Sequence, residues 1–386
     1  MEVKNSIRLV GVPGTNKVME GEANRIGPRL GIGRPPKPVK AGTGALVFPY
    51  DPDLARALVW YHRTSSRILF DLYETQTNTL DELYDELKAE IAKETRPWLK
   101  SSSFSIRARN LQGFSAGAGQ IVGAVKNALI DGAKEAGATL RLEVDNPDLH
   151  FALRLHDDSL TLSLDLSGGG RHLRHYRLDS GEAPMRENLA SVLVMLTRWN
   201  AKTEALVDPM AGSATIAIEG ALMARGAPLW RDSGSLAVNV VPELSEVATE
   251  ELFADTTPAI WTSELHARRA SGARQNVEAA GASDRVEVKQ GDFRQLDPAH
   301  IIAGLRGRGW SGTTGVILCN PPYGQRLEVP IELYRELGEW CREFAGWRVG
   351  VLVANHEFEQ AFGIRARVKK PLRNGNQPSQ FMLFDI

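Results

Sequence analysis

"ALVDPMAGSATIAIEG", residues 205–220, decides the fold. Ala205, Leu206 and Val207 form an apolar run that ends in a carboxylate, Asp208. Small residues follow, and an apolar helix is predicted over 214–225. A strand, a tight turn and a helix in immediate succession form the repeating unit of a parallel sheet. Gly212 and Ser213 let the backbone approach a ligand closely, and the helix start favours an anionic group. Asp208, at the strand end, is placed to meet a cation. No Walker A loop is present, so ATP gains no support.

The rhythm continues on both sides. Upstream, a helix is predicted over 184–199. Downstream come strands at 259–264, 286–292, 315–320 and 348–355, with helices at 265–280 and 330–344. A last apolar strand, "QFMLFDI", ends the chain. Such alternation predicts a mainly parallel, doubly wound α/β sheet. Ligands of such sheets bind where strands end. Glu264 closes its strand in "WTSEL" and is suited to take both hydroxyls of a ribose. It follows the glycine turn by more than the usual spacing because 226–258 form an insertion. Asp292 and Phe293 in "KQGDF" can hold an adenine, carboxylate to exocyclic amine and ring to ring face. Each acid taken singly also reads as a helix N-cap.

The fourth strand end is "CNPPYGQR", 319–326. A residue before proline is pushed to extended geometry, and here two in a row are so constrained. The Asn320 side chain and the Pro321 carbonyl are then two acceptors facing one way, beside the flat ring of Tyr323. That set fits a planar group bearing an amine. Accepting both N–H bonds favours a pyramidal nitrogen and stabilises the charge that develops as it attacks.

The first 168 residues read differently. Strands are predicted at 45–49, 66–74 and 103–110, helices at 52–62, 79–94 and 118–136, and a hairpin over 149–168 around Asp157 and Asp158. This is mixed α+β without a nucleotide-type turn. The Pro/Gly/Arg stretch 27–44 is the most linker-like segment. Net charge is −1, yet cations segregate. Residues 25–40 carry Arg25, Arg29, Arg34, Lys37 and Lys40 with no acid, and "RHLRHYR" (171–177) and 365–373 are also basic. Segregated basic stretches attract a polyanion even in a balanced chain. No apolar run approaches the roughly 20 residues of a membrane span. The first residues lack a signal-peptide core. Two cysteines, Cys319 and Cys341, exclude a disulfide framework and point to the cytoplasm. His172 and His175 have no cysteine or carboxylate pair beside them, so no metal site is expected.

"DPMAGSATIAIEGA", "SEL", "GDF" and "NPPYGQR", in that order, resemble the class I S-adenosylmethionine (SAM)-dependent methyltransferases that modify exocyclic amines. Residues 146–190 resemble the junction between a THUMP RNA-binding domain and such a catalytic domain. "GQIVGAVKNAL" and "RTSSRIL" are similar to earlier parts of that module. The resemblance covers most of the chain, least 1–44 and 229–258. It is strongest to bacterial guanine-N2 methyltransferases of large-subunit ribosomal RNA, with tRNA-specific ones next.

The resemblance implies a Rossmann-like methyltransferase domain and its linker over 169–386. A ferredoxin-like region (1–68) and a THUMP-like RNA-binding domain (69–168) would precede it. SAM would be the cofactor and rRNA or tRNA the partner. The cofactor would touch Asp208, Pro209, Met210, Ala211, Gly212, Ser213, Glu264, Leu265, Asp292, Phe293 and Asn320. The target guanine would lie against Asn320, Pro321, Pro322 and Tyr323. Arg171, Arg174, Arg177, Arg186 and Arg326 would contact RNA. Two departures stand out: Ala211 and Ala214 replace a cysteine and a second glycine of the family loop. Alanine is strained if position 214 needs a positive φ. Three readings follow. One is a guanine-N2 RNA methyltransferase. The second is an RNA-binding or assembly factor that has lost SAM. The third keeps the chemistry on a DNA adenine or a protein glutamine.

Overall fold

The structure is a computed structural model and describes residues 1–94, 99, 102–156, 158–168, 170–171, 173–179, 185–229, 248–322 and 331–386. The chain divides into two compact units. One holds Met1–Gly11 and Met19–Arg171, the other Val12–Val18, His172–Leu229 and Glu250–Ile386.

The first unit runs β1 (Glu2–Gly11), α1 (Asn16–Ile26), β2 (Val39–Lys40), β3 (Ala45–Pro49), α2 (Pro52–Tyr61), β4 (Ser65–Thr75), α3 (Leu80–Ala92), β5 (Ser102–Arg109), α4 (Ala118–Glu135), β6 (Leu140–Leu142), β7 (Leu149–His156) and β8 (Ser159–Asp165). Among the described residues these strands make one eight-stranded sheet, β2-β3-β1-β4-β8-β7-β5-β6. Local signals explain the elements. Asp51 caps α2 by accepting from the Leu54 amide at 2.7 Å, with Pro52 in the first turn. Along β7, Leu149, Phe151 and Leu153 are buried while the residues between them are half-buried, the period-2 pattern of a sheet with one apolar face. Two expectations change here. The boundary expected at 68/69 falls inside β4. Within the linker-like stretch 27–44, Val39–Lys40 join the sheet as β2, which pairs with β3.

The second unit runs α5 (Glu187–Leu196), β9 (Ala205–Asp208), α6 (Thr215–Arg225), β10 (Ile260–Glu264), α7 (Ala267–Ala279), β11 (Val286–Gln290), α8 (Pro298–Gly307), β12 (Gly315–Cys319), α9 (Ile331–Arg342), β13 (Arg348–Val353), α10 (Phe358–Phe362), β14 (Val368–Asn374) and β15 (Gln377–Asp385). The strand order is β11-β10-β9-β12-β13-β15-β14. The first five strands are parallel, and β15 runs antiparallel to both neighbours. Both faces are buried. Leu206, Ile260, Val316 and Leu318 join one apolar cluster, and Val207, Trp261, Ile317 and Cys319 join the other. Double burial is why β9 and β12 read as nearly continuous apolar runs.

The doubly wound sheet is as expected. β14 and α8 were not foreseen. β14 is an edge strand whose residues are mostly exposed, so "VKKPLRN" reads as a basic loop. The start of the helix expected at 184 lies outside the described residues. Among the described residues no helix is long and apolar enough to cross a membrane.

Candidate cofactor and base pocket

The chain winds from β9 through β10 to β11 on one side and then crosses back to β12 on the other side of β9. The crevice at that switch point is where open α/β sheets bind ligands. A cleft of about 370 Å³ lies there. Asp208, the 209–213 turn, Glu264, Leu265, Asp292, Phe293, Asn320, Pro321 and Pro322 all line it. Four strand ends, far apart in sequence, are thus brought to one cleft.

Asp208 is 1% exposed, and its Oδ1 accepts from the Met210 amide at 3.1 Å. Burial pushes its carboxyl up to about 7, with the negative charge of Glu264 adding to the rise. A buried acid so placed favours a cationic neighbour. Glu264 accepts from the Gly212 amide through Oε2 and from the His266 amide through Oε1, both at 3.0 Å. It therefore holds the turn as well as facing the cleft. Gly212 has φ +52° and Ala214 φ +60°. The strain foreseen for alanine is present, at a cost of about 1–2 kcal/mol.

Asp292 caps the short 3₁₀ turn Phe293–Gln295 and receives the Arg294 guanidinium side-on, Nε at 2.9 Å from both oxygens. That partner holds its carboxyl below the usual range. Phe293 lines the cleft and is also tied into the core. Its ring packs edge-on against Trp340, centroids 5.8 Å apart, and belongs to the core.

Asn320 Oδ1 is buried and has no hydrogen-bond partner among the described residues. Such an atom is costly unless a ligand satisfies it. One residue beyond Pro321, the Pro322 carbonyl accepts from the Tyr334 hydroxyl at 3.2 Å. Tyr334 thereby braces the proline turn, a role no sequence signal gave. Tyr323 and Arg326 lie outside the described residues. The Cys319 thiol is wholly buried and pushed well up by that burial, an inert core thiol.

The linker arginines need correction. Arg171 is 0% exposed and donates to the carbonyls of Val59 (2.8 Å), His62 (2.6 Å) and Leu58 (3.2 Å). It closes the C-terminus of α2, where the Arg63 amide turns to Glu22 and leaves the Val59 carbonyl without a helical partner, while the Leu58 carbonyl also accepts from the His62 amide. Arg174 is 7% exposed, 3.4 Å from Glu219, which also accepts from Tyr176 and Ser191. Arg177 donates to the Met185 carbonyl at 2.6 Å and the Thr215 hydroxyl at 3.0 Å, beside Glu187. Met185 and Thr215 line the cleft, so Arg177 supports its wall. Burial removes Arg171 and Arg174 from contact with RNA, whereas Arg186 is exposed.

The strand order, the reversed strand near the edge and the acidic strand ends around one cleft define a class I methyltransferase fold. The model of the UPF0020 family, the RMKL-like methyltransferase domain, matches residues 174–381. The chain belongs to this family of SAM-dependent methyltransferases. It is similar to the putative RNA methyltransferase YpsC of Bacillus subtilis (strain 168), 31% identical over 349 residues, 87% of this chain and 86% of that one. It is also similar to the ribosomal RNA large subunit methyltransferase K/L of Pseudomonas aeruginosa, 34% identical over 281 residues. That match spans 68% of this chain but only 38% of the longer relative. The solved structure of SMU.472, a putative methyltransferase complexed with SAH, shares the fold, with a TM-score of 0.77 at 22% identity, covering 100% of this chain and 99% of that one.

Proposed function

We propose that the protein methylates the exocyclic N2 amine of a guanine in structured RNA, with 23S ribosomal RNA as the substrate. The observation that carries this is the buried Asn320 Oδ1, without a partner among the described residues, in the same cleft as Asp208 and Glu264. The residues fit the cofactor: carboxylates at two strand ends and a turn of small residues between them. When bound, SAM supplies an electrophilic methyl group.

This chain's residues do the rest. Asn320 accepts an N–H of the amine and orients its lone pair. With SAM held by Asp208, Glu264 and the 209–213 turn, its methyl group would be supplied to the nitrogen that Asn320 holds, and the surplus amine proton would leave to water. Position and preorganised acceptors suffice, with no covalent intermediate on the protein. The base must leave its stack, at a cost of a few kcal/mol. Tyr323 is the proposed stacking partner, and Arg186 and Arg326 the proposed RNA contacts. The first unit, read as ferredoxin-like and THUMP-like, would supply a largely sequence-indifferent basic grip.

The reading without catalysis draws on the αL strain at Ala214. Against it, the turn keeps its bonds to Glu264, and the Ala211 amide donates to the Ser263 carbonyl at 2.8 Å. The test is methyl transfer from labelled SAM to 23S rRNA, tRNA and duplex DNA prepared from a strain lacking the gene, with nucleoside mass spectrometry. N2-methylguanosine in 23S rRNA is expected. Cofactor binding without transfer to any RNA would refute the proposal.

A further inference from the structure

Asn276, on α7, is a lone amide with no motif around it. It is 0% exposed, and every hydrogen-bonding position of its side chain is used. Oδ1 accepts from the amides of Leu178 (2.7 Å) and Asp179 (3.0 Å). Nδ2 donates to the carbonyls of Asp179 (2.8 Å) and Ser213 (3.2 Å). Room for this approach depends on Gly272, one turn earlier: a Cβ there would sit 2.5 Å from the Asp179 carboxylate.

The bond to Ser213 matters most. The Ser213–Ala214 peptide is a rigid plane. At one end its carbonyl accepts from Asn276. At the other its N–H donates to the Ala211 carbonyl at 2.8 Å. Fixing both ends of a planar unit fixes its rotation, and that rotation sets φ at Ala214. Alanine resists φ +60°. Released at one end, the peptide would turn away and take Gly212 and Ser213 with it.

We infer that Asn276 is a positioning residue for the cofactor site: by holding the Ser213 carbonyl it keeps the strained 211–214 turn in its binding form. The inference rests on the reading of the cleft as a SAM site. It also explains how alanine is accommodated where the family places glycine: the lock supplies what backbone freedom would otherwise give.

Calorimetry with SAH tests it, on the full-length wild type, Asn276→Asp, Ala214→Gly and the double variant. Asn276→Asp keeps the acceptor and the shape but sets a carboxylate oxygen against two carbonyls. Its SAH affinity is expected to fall at least tenfold, and Asn276→Gln to recover part of it. Ala214→Gly alone should change affinity less than twofold. In the Asn276→Asp background it should restore at least threefold, because glycine accepts a positive φ without a lock. Asn276→Ser, which removes the donor without adding charge, carries the same comparison should the aspartate variant not fold. A lowered melting temperature with unchanged SAH affinity, or strictly additive effects, would overturn the inference alone. A wild-type protein that binds no SAH would overturn the SAM reading and this inference with it.

Discussion

Replacing Asp208 by asparagine should stabilise the protein at pH 8 and leave it nearly unchanged near pH 4. The Asp208 carboxyl is raised from 3.8 to about 7, chiefly by burial. Its folded-state value therefore lies above that of the unfolded chain. The folded state keeps the proton through a window in which the unfolded chain has lost it. The stabilisation this gives is full below about 3.8, falls through the window and is gone above about 7. At about 1.36 kcal/mol per pH unit the whole window is worth on the order of 4 kcal/mol. Asparagine does not titrate and still offers an oxygen to the Met210 amide. The stability difference between variant and wild type should therefore grow by about 3 kcal/mol from pH 5 to pH 8. Hydrogen exchange of the β9 and β10 amides, compared between the two proteins at each pH, reads this locally. A whole-chain melt is a poorer measure because two compact units need not unfold as one. Carboxylates common to both proteins cancel in the difference. A difference that stays flat from pH 5 to pH 8 would show that Asp208 titrates as an ordinary acid and that its burial is not what governs it. The same logic predicts proton release when a cationic cofactor reaches Asp208. Calorimetry with SAM at pH 7 in two buffers of different ionisation heat should detect up to about half a proton.

Three further outcomes are expected. Asn320→Ala should lower kcat about a hundredfold or more while SAH affinity holds; a full rate with RNA and cofactor bound would remove Asn320 from the chemistry. Arg171→Ala should destabilise the first unit by about 3 kcal/mol, since it strips charged donors from buried carbonyls, whereas Arg186→Glu should weaken RNA binding in a filter assay without a stability loss; the reverse pattern would restore Arg171 as an RNA contact. Tyr334→Phe should cost about 1 kcal/mol in thermal stability and lower kcat with the cofactor Kd unchanged, and a changed Kd would show that the tyrosine serves the cofactor instead.

Much of the cleft was legible in the chain. β9 and β12 are short apolar runs that end in a polar residue, Asp208 and Asn320, because the sheet is covered on both faces there while its strand ends open on the cleft. Polar residues at strand ends singled out Asp208, Glu264, Asp292 and Asn320, and the fold brings all four to one cleft. The αL position of Ala214 was anticipated by comparing the turn with a glycine-bearing pattern. The packing of Phe293 against Trp340 was not legible, since the partner lies far along the chain on α9. β14 escaped because an exposed edge strand lacks the apolar alternation that marks a half-buried one.

The sequence by itself determined the order of elements, the parallel sheet and the strand-end residues, because backbone hydrogen bonding and apolar burial act through local patterns that one chain displays. Only the tertiary structure decided what the long polar side chains do. "RHLRHYR" looks like a surface patch, yet Arg171 closes a helix about a hundred residues upstream in the chain and Arg174 lies against Glu219. Asn276 looks like any helical amide, yet it holds the Ser213 carbonyl. A guanidinium or an amide finds its partner wherever packing leaves a carbonyl or carboxylate unsatisfied, and that place is fixed by residues remote in sequence.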